Sequence, residues 1–274
     1  MKRLLTTLVV VALCSPVLRA DVMVTSTMSI EGGAPGMAGA GGMTPRLVMR
    51  IKGLKARSDV DVNGQTQTSI TDLASKQITV LQHAQKTAQV YNAQTLAADA
   101  KPGAGAKIDA SAKPTGKSRA IGGASCDEYA LRMAMSMADF AGRGSMPPQA
   151  AEMMKDVRMI ISGSVWVAKS GPGVADFAAF QKAAADANMA AAFGGAVPGM
   201  QAGGVDQLMK TLAAMPGLPY LTELQMVVEG TGPMVDAMKQ MGGMKIKNAV
   251  TEVSTATIPD DQFQVPAGYT TVKQ

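Results

Sequence analysis

The sequence contains a single histidine, two cysteines and few aromatic residues, which make up 4% of the chain. A Ser–His–acid triad or a Cys–His pair would have to use His83, which lies in a polar, turn-like stretch. We therefore expect an exposed turn residue there and not a catalytic base. No cluster of lysine and arginine alternates with aromatic residues, which argues against a nucleic-acid-binding surface. The composition favours a protein that is not an enzyme.

Three short motifs imitate functional sites but lack a required residue or the required context. Residues 123–127 resemble a nucleophile elbow but end in aspartate where a second glycine is needed. Residues 116–118 (GlyLysSer) resemble the end of a phosphate loop, but Ser111 stands where the first glycine is needed. The adjacent aspartates at 260–261 point apart in an extended chain, so they do not form a general acid–base pair. We expect no catalytic residue, no resident metal and no cofactor.

Residues 1–20 have the order of regions found in secretory signal peptides. A basic start is followed by an apolar stretch from Leu4 to Cys14 and then by the small residue Ala20. The apolar stretch is shorter than the roughly 20 residues that span a bilayer. We therefore expect cleavage after Ala20 and a periplasmic protein whose membrane contact is at most peripheral. Lipidation at Cys14 is the alternative.

Removal of residues 1–20 changes both the charge and the cysteine content. The segment holds three basic residues and no acidic one, so the remaining chain is three units less positive than the +5 of the whole sequence. Cys126 is then the only cysteine, and no intramolecular disulfide can form. Its acidic neighbours, Asp127 and Glu128, disfavour a reactive thiolate. We expect a small buried residue at the start of a strand.

Alternating side chains predict β-strands in the first half of the chain. From Lys55 to Val62, charged residues alternate with small or apolar ones, which is typical of a half-exposed antiparallel strand. Asn63-Gly64 follows, and both residues tolerate the positive φ that a tight hairpin requires. The alternation upstream changes phase at Gly53, which predicts a turn or bulge. Further strands are predicted at 70–73, 77–81 and 88–91.

The second half combines further strands with helical spacing. Alternation predicts strands near 129–137, 157–167, 223–229 and 245–258. Apolar residues at helical spacing predict one or two helices between about 174 and 215. Residues 32–43 and 97–119, rich in Gly and Ala, are predicted to be flexible insertions. The predicted fold class is α+β: a curved antiparallel sheet, an open half-barrel, packed around one or two helices, in a single domain over 21–274.

Several runs, in order along the chain, resemble landmarks of a bacterial family of exported proteins of unknown function. They are LysGlyLeuLysAlaArg (52–57), IleThrAspLeu (70–73), LysGlnIleThrValLeu (76–81), LysThrAlaGlnValTyr (86–91), GlyGlyAlaSerCysAspGluTyr (122–129), SerValTrpValAlaLys (164–169) and PheGlnValProAlaGlyTyr (263–269). That family is similar to the outer-membrane lipoprotein carriers (LolA/LolB-like). The resemblance implies an open half-barrel whose concave, apolar side is plugged by helices. It assigns no functional residue, and the Gly/Ala/Met-rich insertions depart from the pattern.

The resemblance, together with strand faces rich in Val, Ile, Leu and Met, predicts a non-enzymatic binding module. Its expected partner is a hydrophobic ligand, such as an acyl chain, or a lipid-modified protein. The predicted cavity lining is apolar and comprises Met49, Ile51, Val60, Val62, Ile78, Val80, Leu131, Met133, Phe177, Phe180, Leu224 and Met226. Two alternatives stay open. The apolar faces form a closed core, or the chain is a structural or interaction protein of the envelope that contacts a partner through its Gly/Ala/Met-rich loops.

Methionine is unusually frequent, with 22 residues. Two groups have the spacing of a shared face: Met234, Met238, Met241 and Met244 on a helix, and Met133, Met135 and Met137 on a strand. Thioether clusters favour Cu(I), which is one interpretation. No histidine or cysteine accompanies either group, and methionine is an adaptable apolar filler. A core or cavity lining is the favoured interpretation.

Overall fold

The computed structural model describes residues 21–32, 44–92, 108–137, 156–187, 215–232 and 243–273, together with residues 189, 211, 235, 236 and 239. The predicted signal peptide and nearly all of the predicted insertion at 32–43 lie outside these ranges. Three methionines of the predicted helical group, Met234, Met238 and Met241, lie outside them as well.

Within the described ranges the chain forms twelve β-strands and one α-helix. The strands are β1 (Val22–Glu31), β2 (Arg46–Lys52), β3 (Lys55–Val62), β4 (Gln65–Asp72), β5 (Gln77–Gln82), β6 (Thr87–Asn92), β7 (Ile108–Ile121), β8 (Ala124–Ser136), β9 (Arg158–Ala168), β10 (Leu218–Glu229), β11 (Met244–Ser254) and β12 (Thr270–Lys273). The helix α1 (Val174–Asp186) lies between β9 and β10. A short 3-10 helix, Asp260–Phe263, precedes β12.

All of these strands belong to one open sheet, in the order β12-β6-β5-β4-β3-β2-β1-β11-β10-β9-β8-β7. Neighbouring strands are antiparallel except β6 and β12, which are parallel. The two edge strands, β12 and β7, are not paired with each other. The predicted antiparallel sheet is confirmed in this form. The fold is more strand-dominated than predicted, because α1 is the one α-helix that the structure describes from end to end.

The predicted hairpins are present at the first turns. Strand β2 ends at Lys52 and β3 begins at Lys55, so the phase change at Gly53 marks a two-residue turn, and Gly53 has a φ of 58°. Asn63 and Gly64 have φ values of 54° and 80°, the left-handed conformation that the hairpin requires. The strand that the alternation of charged and apolar residues predicted over Lys55–Val62 is therefore confirmed as β3, between two tight turns.

Strand β7 occupies the second half of the region predicted to be a flexible insertion. It pairs with β8 over its length, with a register shift between Pro114 and Ser118. Its residues 113–120 are exposed, as is allowed for an edge strand. Such a strand needs few apolar side chains, because its backbone bonds to β8 hold it in place. The structure corrects the assignment for residues 108–119, whereas residues 97–107 lie outside the described ranges.

Helix α1 packs into the largest apolar cluster. Phe177, Phe180 and Ala184 lie three and four residues apart and are buried, as the helical spacing predicted. The helix contacts β2 and β10. At its start, a Cβ added to Gly173 would lie 2.8 Å from a methyl group of Val22. The helix therefore rests directly on the sheet near the middle of the strand order.

The apolar cluster around α1, which we call the main cluster, contains side chains from both halves of the sheet. Val22 and Ile51 come from β1 and β2, and Trp166 and Leu218 come from β9 and β10. The two halves contribute opposite faces. Directly paired residues share a face, and the register can be followed from Ile51 across β1, β11 and β10 to Gly163 on β9. Trp166, three residues further, therefore lies on the other face, yet it belongs to the same cluster as Ile51. Right-handed twist of about 20–25° per strand pair accumulates over the sheet. The twist explains how both halves contact one helix.

Two smaller clusters cover other parts of the sheet. Leu131, Met133 and Val165 pack with Met215 on the face that carries Ile51, and we call this group the second cluster. On the opposite face, the C-terminal segment (residues 255–269) packs onto β4–β6, where Ile258 and Phe263 contact apolar residues of these strands: Ile70, Leu81 and Ala88. No helix in the described part of the chain is long and apolar enough to cross a membrane.

Candidate binding surfaces

The ten strand residues predicted to line a cavity share one face of the sheet. Ile51 is paired with Val22, and the same face continues along β1 and β11 to Leu224. Leu224 is paired with Gly163, which is paired with Leu131 in turn. Alternation along each strand and direct pairing place the other seven residues on this face: Met49, Val60, Val62, Ile78, Val80, Met133 and Met226.

Packing separates the twelve predicted residues into three groups. Three are buried in the main cluster and two pack against it: Ile51, Phe177, Phe180, Met49 and Ile78. Two are buried in the second cluster and one packs against it: Leu131, Met133 and Leu224. Four are half-buried and belong to no cluster: Val60, Val62, Val80 and Met226. The structure thus places part of the predicted lining in the core and leaves part of it accessible.

A half-buried apolar strip continues from the main cluster along β2 and β3. We define the apolar strip as Leu47, Met49, Val60 and Val62, all of intermediate exposure. Leu47 and Val60 are direct cross-strand partners, which brings their side chains into contact distance. Met49 also packs against the main cluster, so the strip is continuous with the core. The strip presents apolar surface on the side of the sheet that carries the predicted lining.

A polar groove lies on the opposite face, across β1, β11, β10, β9, β8 and β7. Its volume is about 730 Å³. Of the twelve predicted lining residues only Leu224 borders it. Its other walls carry hydroxyl, amide and charged groups: Ser29, Glu31, Thr115, Lys117, Glu128, Ser162, Ser164, Glu223, Gln225, Lys245 and Lys247. This groove is not the apolar cavity that the sequence predicted.

The charges of the polar groove are partly neutralised by one another. Lys247 Nζ lies 3.2 Å from Glu223 Oε1, and Lys117 Nζ lies 3.3 Å from Glu128 Oε2. The hydroxyl of Thr115 donates a 2.7 Å hydrogen bond to the same Glu128 oxygen. This hydrogen bond, with Lys117 nearby, lowers the pKa of the Glu128 carboxyl despite partial desolvation. The walls therefore hold ionised pairs with little net charge.

One end of this face carries a stacked arginine. The guanidinium of Arg119 lies 4.0 Å from the ring centroid of Trp166, a cation–π contact. Arg119 also approaches Glu223 at 3.9 Å. Trp166 is buried, and its indole nitrogen has no hydrogen-bond partner among the described residues. No pattern in the sequence indicates this arrangement, because the three residues lie on three different strands.

A hydrogen-bonded chain beneath the C-terminal segment contains the only histidine of the sequence. His83 lies in the exposed turn after β5, as predicted, and its Nε2 is 2.8 Å from Thr68 Oγ1. Its Nδ1 is 2.6 Å from the hydroxyl of Tyr269. Thr68 donates a 2.6 Å hydrogen bond to Asp59, so Nε2 of the histidine carries the proton facing Thr68. Thr68 is fully buried and therefore inaccessible to a substrate. The chain joins the C-terminal segment to the sheet.

Cys126 is buried near the start of β8, as the sequence predicted. Burial raises the pKa of its thiol, Asp127 adds to the increase, and Arg119 opposes it. Among the described residues no group of three or more His, Cys, Asp or Glu side chains is arranged to hold a metal ion. Met133 and Met135 are buried on one face of β8. Their placement fits a core role.

The remaining motifs have structural roles. Residues 116–118 lie in the irregular part of β7 and not between a strand and a helix. Asp260 begins the 3-10 helix and forms an ion pair with Lys52 at 2.8 Å. Lys52 also donates to the carbonyl oxygen of Ile258, and the Ile258 amide donates to Asp21. These contacts fix the C-terminal segment to the strands beneath it.

Neither protein-family models nor curated proteins match the chain. A solved structure described as an uncharacterized conserved protein from Thermus thermophilus matches 94% of this chain and 92% of its own, at 7% sequence identity and a TM-score of 0.38. Such a low TM-score supports no conclusion about fold family or function.

Proposed function

We propose that the chain is a non-enzymatic binding module of the bacterial envelope and that its ligand is hydrophobic, either an acyl chain or a lipid-modified partner. The apolar strip is the observation that supports this function. Its four side chains are half-buried, although one of them, Met49, packs against the buried core. All four lie on the face that carries the predicted lining residues. An aliphatic ligand laid along Leu47 and Val60 would bury surface that the chain leaves in contact with water.

The energetics suit a ligand without directional groups. Apolar surface contributes about 25 cal/mol per Å² when it is removed from water. An acyl chain that buries about 200 Å² would therefore gain about 5 kcal/mol before the cost of its immobilisation. Gln67 and Ser69 on β4 border the strip on the same face. They give a polar rim on which the head of an amphiphile would lie.

We further propose that the sheet curves into an open half-barrel. In this arrangement α1 fills one end of the concave side, and the apolar strip lies towards the other end. Cleavage after Ala20 would deliver the domain to the periplasm with Asp21 as its first residue. The open sheet and the buried helix support this arrangement. The outer-membrane lipoprotein carriers, which the sequence resembles, would then be related in architecture.

A binding assay with matched variants tests the function. The chain beginning at Asp21 is titrated with a fluorescent fatty acid, and lipid retained during purification is measured by native mass spectrometry. Val60→Gln places an amide in the strip, whereas Val60→Ile keeps the surface apolar. We expect saturable binding by the wild type and Val60→Ile, and binding about tenfold weaker in Val60→Gln, because the amide must lose its hydration.

Two results would contradict the proposal. One is the absence of saturable fatty-acid binding by a folded wild-type chain. The other is equal affinity of the two Val60 variants, both checked for native circular dichroism. Either result would favour the alternative of an envelope interaction protein without a small ligand.

A further inference from the structure

The polar groove contains a row of side chains that have no partner in the described part of the chain. Glu31, Lys245, Gln225 and Ser162 are direct cross-strand partners on four consecutive strands, β1, β11, β10 and β9. All four border the groove. None of these side chains forms a hydrogen bond or an ion pair with another described residue, in contrast to Glu223, Lys247, Glu128 and Lys117 beside them. We define these four residues as the polar row.

The four side chains of the polar row differ in whether they donate or accept hydrogen bonds, and they lie in a line across the strands. Glu31 accepts hydrogen bonds, Lys245 donates them, and the Gln225 amide and the Ser162 hydroxyl do both. Neighbouring strands are about 4.8 Å apart, so the row extends over about 14 Å from Glu31 to Ser162. A ligand that satisfies it must offer donors and acceptors at short, repeated intervals.

The charge and the lining exclude several ligand classes. Three lysines and three glutamates border the groove, so neither an anionic nor a cationic ligand is favoured overall. Nucleic acids and phosphorylated ligands require an excess of positive charge. Few apolar side chains face the groove, which disfavours an acyl chain. The volume of about 730 Å³ lies in the range of sites for small molecules.

We propose that the polar row binds a neutral, hydroxyl-rich ligand, a short oligosaccharide. Each sugar hydroxyl both donates and accepts, so adjacent hydroxyls can bond a carboxylate and an ammonium group on neighbouring strands. Lys245 and Glu31 form the charged end of the site. Gln225 and Ser162 carry no charge, and the direct partner of Ser162 on β8 is Arg132, which does not border the groove. The small side chains of Ser164 and Ala130 in the next row leave room for the sugar rings. This site is separate from the apolar strip, because none of the four strip residues borders the groove.

The test measures binding of defined neutral sugars to the chain beginning at Asp21. Cellohexaose, maltohexaose and chitohexaose are titrated by calorimetry and by amide chemical-shift changes, with inorganic phosphate and heparin as anionic probes. Lys245→Met and Gln225→Leu remove donors from the row. Gln77→Leu, at an exposed position of β5 on the same face but outside the groove, is the matched control for Gln225→Leu.

We expect at least one neutral hexasaccharide to bind with saturation and to perturb the amides of β9–β11. Lys245→Met should weaken this binding about tenfold and Gln225→Leu about fivefold, the effects of losing a charged and a neutral hydrogen bond. Gln77→Leu and the strip variant Val60→Gln should leave it unchanged. The proposal is overturned if no neutral sugar binds, if only phosphate or heparin binds, or if Gln225→Leu and Gln77→Leu have equal affinities.

Discussion

Replacement of Asp59 by asparagine tests whether a charge network holds the C-terminal segment on the sheet. The Asp59 carboxylate is 16% exposed and is paired with Arg50. Its two oxygens each lie 3.0 Å from Nε of Arg57, and one accepts the 2.6 Å hydrogen bond from Thr68. Arg57 in turn donates to the carbonyl oxygen of Gln262 in the C-terminal segment. Asparagine keeps the size of the side chain but presents an NH₂ group to donors.

The expected loss of stability follows from the charged hydrogen bonds and ion pairs that Arg50 and Arg57 lose in the variant. Hydrogen bonds to charged groups contribute about 1.5–3 kcal/mol each, and breaking a buried pair costs about 3–5 kcal/mol. The arginine side chains are 24% and 18% exposed, so water compensates part of the loss. We expect the free energy of unfolding to fall by about 2–4 kcal/mol in Asp59→Asn.

The same network predicts the sign of a pH effect. Desolvation acts to raise the pKa of the Asp59 carboxyl, but hydrogen bonds from Arg57 and Thr68 and the charges of both arginines outweigh it and lower the pKa. A carboxyl whose pKa is lower in the folded state stabilises the fold above its unfolded pKa, about 3.9, and loses that contribution as the pH falls through the folded value. The difference between wild type and Asp59→Asn should therefore be largest near pH 7 and shrink below about pH 4.

Urea unfolding of the chain beginning at Asp21, at pH 7 and at pH values down to the acid limit of the fold, measures both quantities. The matched control is Asp61→Asn on the same strand and face, where the carboxylate makes only exposed hydrogen bonds, with Gly64 and Thr66, among the described residues. We expect the control to change stability by less than about 0.5 kcal/mol. Equal losses in the two variants, or a loss that does not depend on pH, would refute the reasoning.

Two further predictions concern the backbone. A Cβ at Gly163 would lie 1.9 Å from the carbonyl oxygen of Glu223 on β10. Gly163→Ala should therefore separate β9 from β10 and lower the free energy of unfolding by more than about 3 kcal/mol. Wild-type stability of this variant in urea would contradict the pairing register of β9 and β10. Lys76 has a φ of 55° in the turn between β4 and β5. Lys76→Gly should remove about 1–2 kcal/mol of strain from the left-handed backbone conformation, offset in part by the greater conformational entropy of glycine in the unfolded chain, and the melting temperature should rise by a few degrees. A lower melting temperature would show that the lysine side chain stabilises the turn.

Most of the strands could be predicted from the sequence because their alternation is local information. Strand β3 shows it most clearly, with charged residues on one side and a hairpin signal at Asn63-Gly64. Strand β7 could not be recognised, because an edge strand exposed over residues 113–120 carries no apolar alternation. What identifies it is the pairing with β8, which depends on residues elsewhere in the chain.

The polar row shows why the groove could not be predicted. Glu31 and Lys245 are direct partners although more than two hundred positions separate them in the sequence. Within its own segment, each belongs to the solvated side of an amphipathic strand, which is the ordinary interpretation of an alternating charge. Only the order of strands in the sheet, with β11 between β1 and β10, places them beside Gln225 and Ser162. Periodicity along a strand carries no information about a site built across strands.

Burial of both faces of one strand limits such predictions further. Val165 and Trp166 are adjacent on β9, point to opposite faces and are both buried. One belongs to the cluster around Met133 and the other to the cluster around helix α1. Alternation assigns one face of a strand to the core and the other to solvent, so it cannot describe a strand covered on both sides. The twist that brings opposite faces of the two halves to one helix makes β9 such a strand. For the same reason the ten strand residues predicted to line a cavity share a face yet pack in different clusters.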